Sequence, residues 1–211
     1  MYGIKGIGSY NVPVSPLTAS KLYWDVCIPK LTYGFEVMDI KDTILDNVET
    51  FHLQAAKITQ SLPEQAVNIG SICTVGWQPI DLYIDVIRLL FMWRMLLLPM
   101  SNIYKSVLVR RMFYHIDNFN VKACGPVKRF LDTCVKYNLQ EFVIESTENG
   151  DYCSMNQWKK MVKAVVKDRQ DQRWKVTLPF YKSLKYMDSN VYYMSPWWKY
   201  AHHDPLLVKK S

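Results

Sequence analysis

Lys159, Lys160, Lys163, Lys167, Arg169 and Arg173 place six cations between positions 159 and 173, in a stretch that also holds Trp158 and Trp174. Cations in such a row neutralise phosphates and aromatic rings stack on bases, so the chemistry on offer is nucleic-acid binding. A row of this kind is also how many helices keep a solvated face, and the pattern alone fits both uses.

The carboxylates do not form a catalytic metal site. Nucleotide polymerisation uses carboxylates that hold two metal ions about 3.5–4 Å apart. No Asp-Asp pair occurs anywhere in the chain. Asp39/Asp42 and Asp81/Asp85 have helical spacing and read as a cap and as solvated edges. Cys124, Cys134, Cys153, His202 and His203 lack the paired ligand spacing of a zinc site. No Gly-x-Ser-x-Gly elbow is present. His52 reads as a satisfied residue at a core edge, and His115, near Arg110 and Arg111, as structural. No catalytic residue, metal ligand or cofactor is expected.

These residues need helices to position them. Ser15 can cap a first helix, and Pro16 suits its first position, where a missing N–H costs nothing. Pro29 lacks the N–H that would bond the Asp25 carbonyl, so this helix must bend or break there before ending near Tyr33–Gly34. A second helix is expected over Thr43–Ser61, capped by Asp42 and stopped by Pro63. Its Ile44, Val48, Phe51, Ala55, Ile58 and Leu62 form a heptad seam suited to lengthwise packing. A short helix over 65–75 ends at Gly76. Pro79 and Pro99 bracket a long apolar helix. Ser101 can cap another through Ile116, with Lys105, Arg110 and Arg111 on its polar side.

After a break at Asn118–Pro126, Val127–Tyr137 reads as a short helix. Glu141–Phe142–Val143–Ile144–Glu145 reads as a lone strand, and Glu148–Asp151 as a turn. Ser154–Lys175 is the clearest amphipathic helix, with Trp158, Val162, Val165 and Val166 on its apolar face. The last segment, with Trp197, Trp198, His202 and His203, is aromatic, basic and expected to be loosely ordered. The fold class that follows is mainly α, a helical bundle succeeded by a smaller basic helical region.

Composition agrees with a folded chain: 211 residues, 49% hydrophobic and 14% aromatic. The net charge of +7 is uneven. Residues 1–100 carry 7 Lys/Arg against 9 Asp/Glu, and residues 101–211 carry 19 against 10. The second half is therefore the candidate for polyanion contact. Ile80–Leu98 is apolar at fifteen of nineteen positions. Asp81, Asp85, Arg88 and Arg94 interrupt it, each costing about 2.5–3.5 kcal/mol on insertion scales, so a buried helix is expected and no membrane span. The five cysteines are odd in number and form no Cys-x-x-Cys pair. With an N-terminus that lacks a secretory apolar region, reduced thiols and an intracellular, soluble protein of nucleus or cytoplasm are expected.

The order of these marks resembles one family. Ser15–Pro16–Leu17–Thr18, Lys21–Leu22–Tyr23, then Ile28–Pro29–Lys30–Leu31–Thr32–Tyr33–Gly34 and Glu36–Val37, then the helix ending Leu62–Pro63, then Gly76–Trp77, are similar to the region after the catalytic core of LINE-type (non-LTR) retrotransposon reverse transcriptases. The resemblance covers residues 3 to 200. It implies a thumb-like helical part, 1–118, followed by a basic helical part, 119–211. It implies that the aromatic-x-Asp-Asp palm lies outside this chain, which would then be a non-catalytic fragment and no enzyme alone. The implied partners are RNA or an RNA–DNA template–primer duplex and an upstream polymerase core, with no membrane and no small-molecule substrate. The alternative is a helical protein–protein interaction module.

Overall fold

The computed structural model describes residues 15–117, 125–181 and 184. The glycine-rich start, the centre of the break near position 120 and the segment with Trp197, Trp198, His202 and His203 lie outside the described residues. The chain is mainly helical, with no strand among the described residues. It divides into two compact units that are not the sequential parts 1–118 and 119–211. One gathers the described residues of Met1–Thr32, Thr43–Ile80 and Asp171–Ser211; the other gathers Tyr33–Asp42 and those of Asp81–Gln170. Each unit closes with residues far apart in sequence, and no local signal marks such a boundary.

In the first unit, α1 (Pro16–Leu22) runs through a widened π turn, Tyr23–Cys27, into α2 (Ile28–Leu31). The π turn lies immediately before Pro29, at the point where the missing N–H and the Asp25 carbonyl conflict, and so accommodates the proline without ending the helix. Ser15 occupies the capping position, but its hydroxyl makes no cap bond and is buried without a partner. The chain reverses at Gly34, whose φ of +83° favours glycine.

Helix α3 spans Asp42–Thr59. Its heptad seam is packed only in part: Val48 and Ala55 are buried and Phe51 half-buried, whereas Ile44, Ile58 and Leu62 are exposed, and His52, Ala56 and Gln60 join the buried side instead. The small alanines and two polar side chains with nearby partners pack more closely than the larger seam residues. His52 is fully buried. Its Nε2 bonds the Gln78 carbonyl at 3.0 Å, which can only accept, so Nε2 donates and the neutral ring's Nδ1 accepts from Tyr23 Oη at 2.9 Å. Tyr23 stacks on Trp77 with centroids 4.4 Å apart, and Trp77 Nε1 donates to Ser20 Oγ at 2.6 Å. Helix α4 (Asn68–Val75) ends at Gly76 in the left-handed conformation, as expected. Gln60 ties α3 to α4, donating to the Ser71 carbonyl at 2.7 Å and accepting from Thr74.

In the second unit, α5 (Ile80–Leu96) supplies Leu89, Trp93 and Leu96 to the core. No helix among the described residues is long and apolar enough to cross a membrane. Helix α6 (Ile103–Asp117) starts at Asn102, whose side-chain oxygen accepts the Tyr104 N–H at 2.9 Å, one position after the expected Ser101. Lys105 is not on its polar side: it is buried, with Nζ 4.4 Å from the centre of the Tyr152 ring. Helix α7 (Pro126–Lys136) is strongly amphipathic and buries Phe130, Leu131 and Cys134.

The expected strand at Glu141–Glu145 is helix α8, Gln140–Asn149. Its short apolar run has no strand to pair with among the described residues. As a helix it lays Val143 into the core and Phe142 against Trp93, centroids 5.7 Å apart. Gly150 ends α8 in the left-handed conformation. Helix α9 (Met155–Thr177) and a short 3₁₀ turn, Leu178–Phe180, complete the described fold.

Candidate nucleic-acid interface

Helix α9 is set by its start and by one buried row. Ser154 and Gln157 form a reciprocal cap: the Ser154 N–H donates to Gln157 Oε1 at 2.9 Å, and the Gln157 N–H donates to Ser154 Oγ at 3.3 Å. Trp158, Val162, Val166, Trp174 and Leu178 are buried at intervals of four or eight. Four residues overshoot one turn by about 40°, so this row winds around the helix. Trp158 anchors it in the second unit. Its indole stacks on Trp93, centroids 4.2 Å apart, and its Nε1 donates to the Leu89 carbonyl at 3.0 Å.

All six cations singled out by the sequence are exposed. At about 100° per residue, Lys159, Lys163, Lys167 and Lys160 fall within one arc of about 100°, opposite or beside Trp158. From Lys159 to Lys167 they cover about 12 Å of helix axis, about the advance of three or four nucleotides along one strand. The structure brings these four lysines together as a strip.

Arg169 and Arg173 do not continue the strip. They lie close to the azimuth of Trp158, because the winding buried row has by then left that side. Arg173 Nη2 approaches Glu49 Oε1 at 3.8 Å within the first unit. Arg169 is exposed on that same side. By azimuth, the strip consists of the four lysines.

A second charged group was not legible in the sequence. Asp85, expected at a solvated edge, is buried. Its Oδ2 accepts from Lys136 Nζ at 2.6 Å and from Tyr137 Oη at 2.9 Å, and its Oδ1 lies 3.6 Å from Arg88 Nη1. Burial, then the Asp85 charge and hydrogen bond, push the Tyr137 phenol well above the usual tyrosine range. Burial lowers Arg88 despite the Asp85 carboxylate beside it. Arg88 donates to the Phe35 carbonyl at 3.4 Å, and its Nε is buried without a partner. Nearby, Arg129 Nε donates to Asp39 Oδ1 at 2.5 Å, which raises the guanidinium further. These ties fasten α5, α7 and the Tyr33–Asp42 segment within the second unit. The signal available in the sequence was Asp85 and Arg88 three apart on an otherwise apolar helix.

A recess of about 460 Å³ opens between α8 and the start of α9, lined by Phe142, Glu145, Asp151 and Cys153 among others. Burial raises the Cys153 thiol, which disfavours the nucleophilic thiolate. Cys73 and Cys134 are buried, and burial pushes the Cys73 thiol up to about 12. Neither position offers a reactive nucleophile. Compared with family models, curated proteins and solved structures, the chain matches none.

Proposed function

We propose that the chain binds a nucleic-acid backbone through Lys159, Lys160, Lys163 and Lys167, as the non-catalytic gripping part of a LINE-type RNA-directed DNA polymerase. The observation that carries this reading is the lysine strip: four exposed ammonium groups in one arc of a helix whose azimuth is fixed by buried tryptophans. Lysine is a compact point charge on a flexible stem, suited to phosphates and indifferent to base sequence. The preferred ligand in this reading is RNA or an RNA–DNA template–primer duplex. In this reading the chain alone does not polymerise nucleotides, since it holds no Asp-Asp pair to carry two metal ions.

The test is binding of the purified chain to an RNA–DNA duplex across a salt series. The expected outcome is a linear fall of log affinity with log salt. Replacing the four lysines with glutamate should abolish binding at physiological salt. Affinity unchanged by that replacement would refute the proposal. Incorporation of nucleotides by the purified chain with Mg²⁺ would refute the claim of catalytic silence.

A further inference from the structure

Helix α6 turns a face of different chemistry outward. Met100, just before the helix, is 68% exposed, and Ile103, Tyr104 and Val107 are 69%, 66% and 54% exposed. Arg110 and Arg111 extend this face by one turn, and both are exposed. The opposite side is committed to the core, with Lys105, Leu108, Met112 and His115 all buried. The spacing 103, 107, 110/111 places aliphatic and cationic groups along one ridge, about 12 Å long from Ile103 to Arg111.

Tyrosine, methionine and arginine together, with lysine, glutamate and aspartate absent, is the composition of an interface core. The contrast within the chain is direct, because the exposed side of α9 holds lysine, aspartate and glutamine. Such a cluster of large apolar groups in water marks a docking surface.

Charge decides among the occupants. Residues 97–116 contain no Asp or Glu. Neither Arg110 nor Arg111 is in an ion pair among the described residues. A second copy of the chain would set arginine against arginine, so the complement is anionic. A nucleic acid would satisfy the arginines and could stack on Tyr104, but it leaves Met100, Ile103 and Val107 with little to bury them. An apolar ridge flanked by carboxylates meets both demands.

We propose that the Met100–Arg111 surface docks an amphipathic helix of a partner protein, with an apolar stripe on Ile103, Tyr104 and Val107 and carboxylates facing Arg110 and Arg111. This is helix-against-helix recognition with charge setting the orientation. It uses none of the α9 lysines, so its failure leaves the nucleic-acid reading standing, and the reverse holds.

The test is fluorescence anisotropy of the full chain against a labelled synthetic helix with leucines at i, i+3, i+4 and i+7 and glutamates flanking them. A matched helix with lysines in place of the glutamates is the control. The acidic probe should bind and the basic one should not. Val107→Asp should weaken the acidic probe about tenfold or more. Arg110→Glu with Arg111→Glu should reverse the preference between the two probes, which a general loss of structure cannot do. An acidic probe that ignores both changes overturns the proposal. So does an oligouridine that binds in place of the peptide and is lost in Val107→Asp, which would assign the surface to nucleic acid.

Discussion

Trp158 lies almost parallel to Trp93, with an interplanar angle of 14° and centroids 4.2 Å apart, and its indole N–H is held by the Leu89 carbonyl. This pair connects core packing to the candidate interface. With Trp158 fixed inward, the positions one, two, five and nine residues later must face outward, and lysine occupies all four. The anchor is as much a part of the proposed interface as the lysines.

Trp158→Ala should therefore cost about 3–5 kcal/mol, the range for emptying a buried tryptophan site. Urea unfolding would measure it. Trp158→Phe keeps a stacking partner for Trp93 and Phe142 but loses the bond to Leu89, and should cost less. If the strip binds nucleic acid, Trp158→Ala should also weaken binding without removing any cation.

Single lysines should act alike. Each of Lys159→Gln, Lys160→Gln, Lys163→Gln and Lys167→Gln should reduce the slope of log affinity against log salt by about 0.7–0.9, the share of one phosphate contact. Arg173→Gln should change it less, because Arg173 lies beside Glu49 and off the strip. Equal effects at Arg173 and the lysines would show that the strip is not the binding surface.

Asp85→Ala should be far more harmful than an average surface change. It removes the carboxylate from Arg88, whose side chain is 9% exposed, and from Tyr137. Leaving a buried cation uncompensated costs about 3–5 kcal/mol. Tyr137→Phe removes one hydrogen bond to a charged acceptor and should cost about 1.5–3 kcal/mol. Thermal and urea unfolding would rank the two.

The buried tyrosines should make the protein sensitive to alkali. Tyr23 and Tyr137 are both raised above the unfolded tyrosine value of about 10, chiefly by burial. The folded state holds these phenol protons more tightly than the unfolded chain does. Their contribution to stability is therefore complete below about pH 10 and is lost as pH rises through the folded values. Tyrosinate absorbance should show Tyr23 and Tyr137 among the groups that ionise late, together with unfolding, and Tyr137→Phe should remove one of them.

Much of the local structure was legible because its signals are local. Pro16, Gly76 and the helix start at Ser154 each act within a few residues, and each stands where its pattern predicts. The apolar run Phe142–Ile144 misled because so short a run fits strand and helix alike; without neighbouring strands it has no ladder, and Phe142 and Val143 find their partners as a helix instead. The α3 heptad held only at Val48 and Ala55, because periodicity shows which residues share a face and not how far that face is turned inward. There His52 and Gln60 were drawn inward by partners 26 and 11 positions away.

The sequence by itself determined a mainly helical chain, a basic second half and the exposure of Lys159, Lys160, Lys163 and Lys167, since these follow from composition, caps and the 3.6-residue repeat. Only the tertiary structure decided that Asp85 and Arg88 are buried together, that Lys105 lies over Tyr152, that Arg173 meets Glu49, and that the face of α6 remains outside. Those outcomes depend on which distant groups meet. An ion pair or a cation over a ring is fixed by packing between segments, and that information is not carried by the spacing within any one of them.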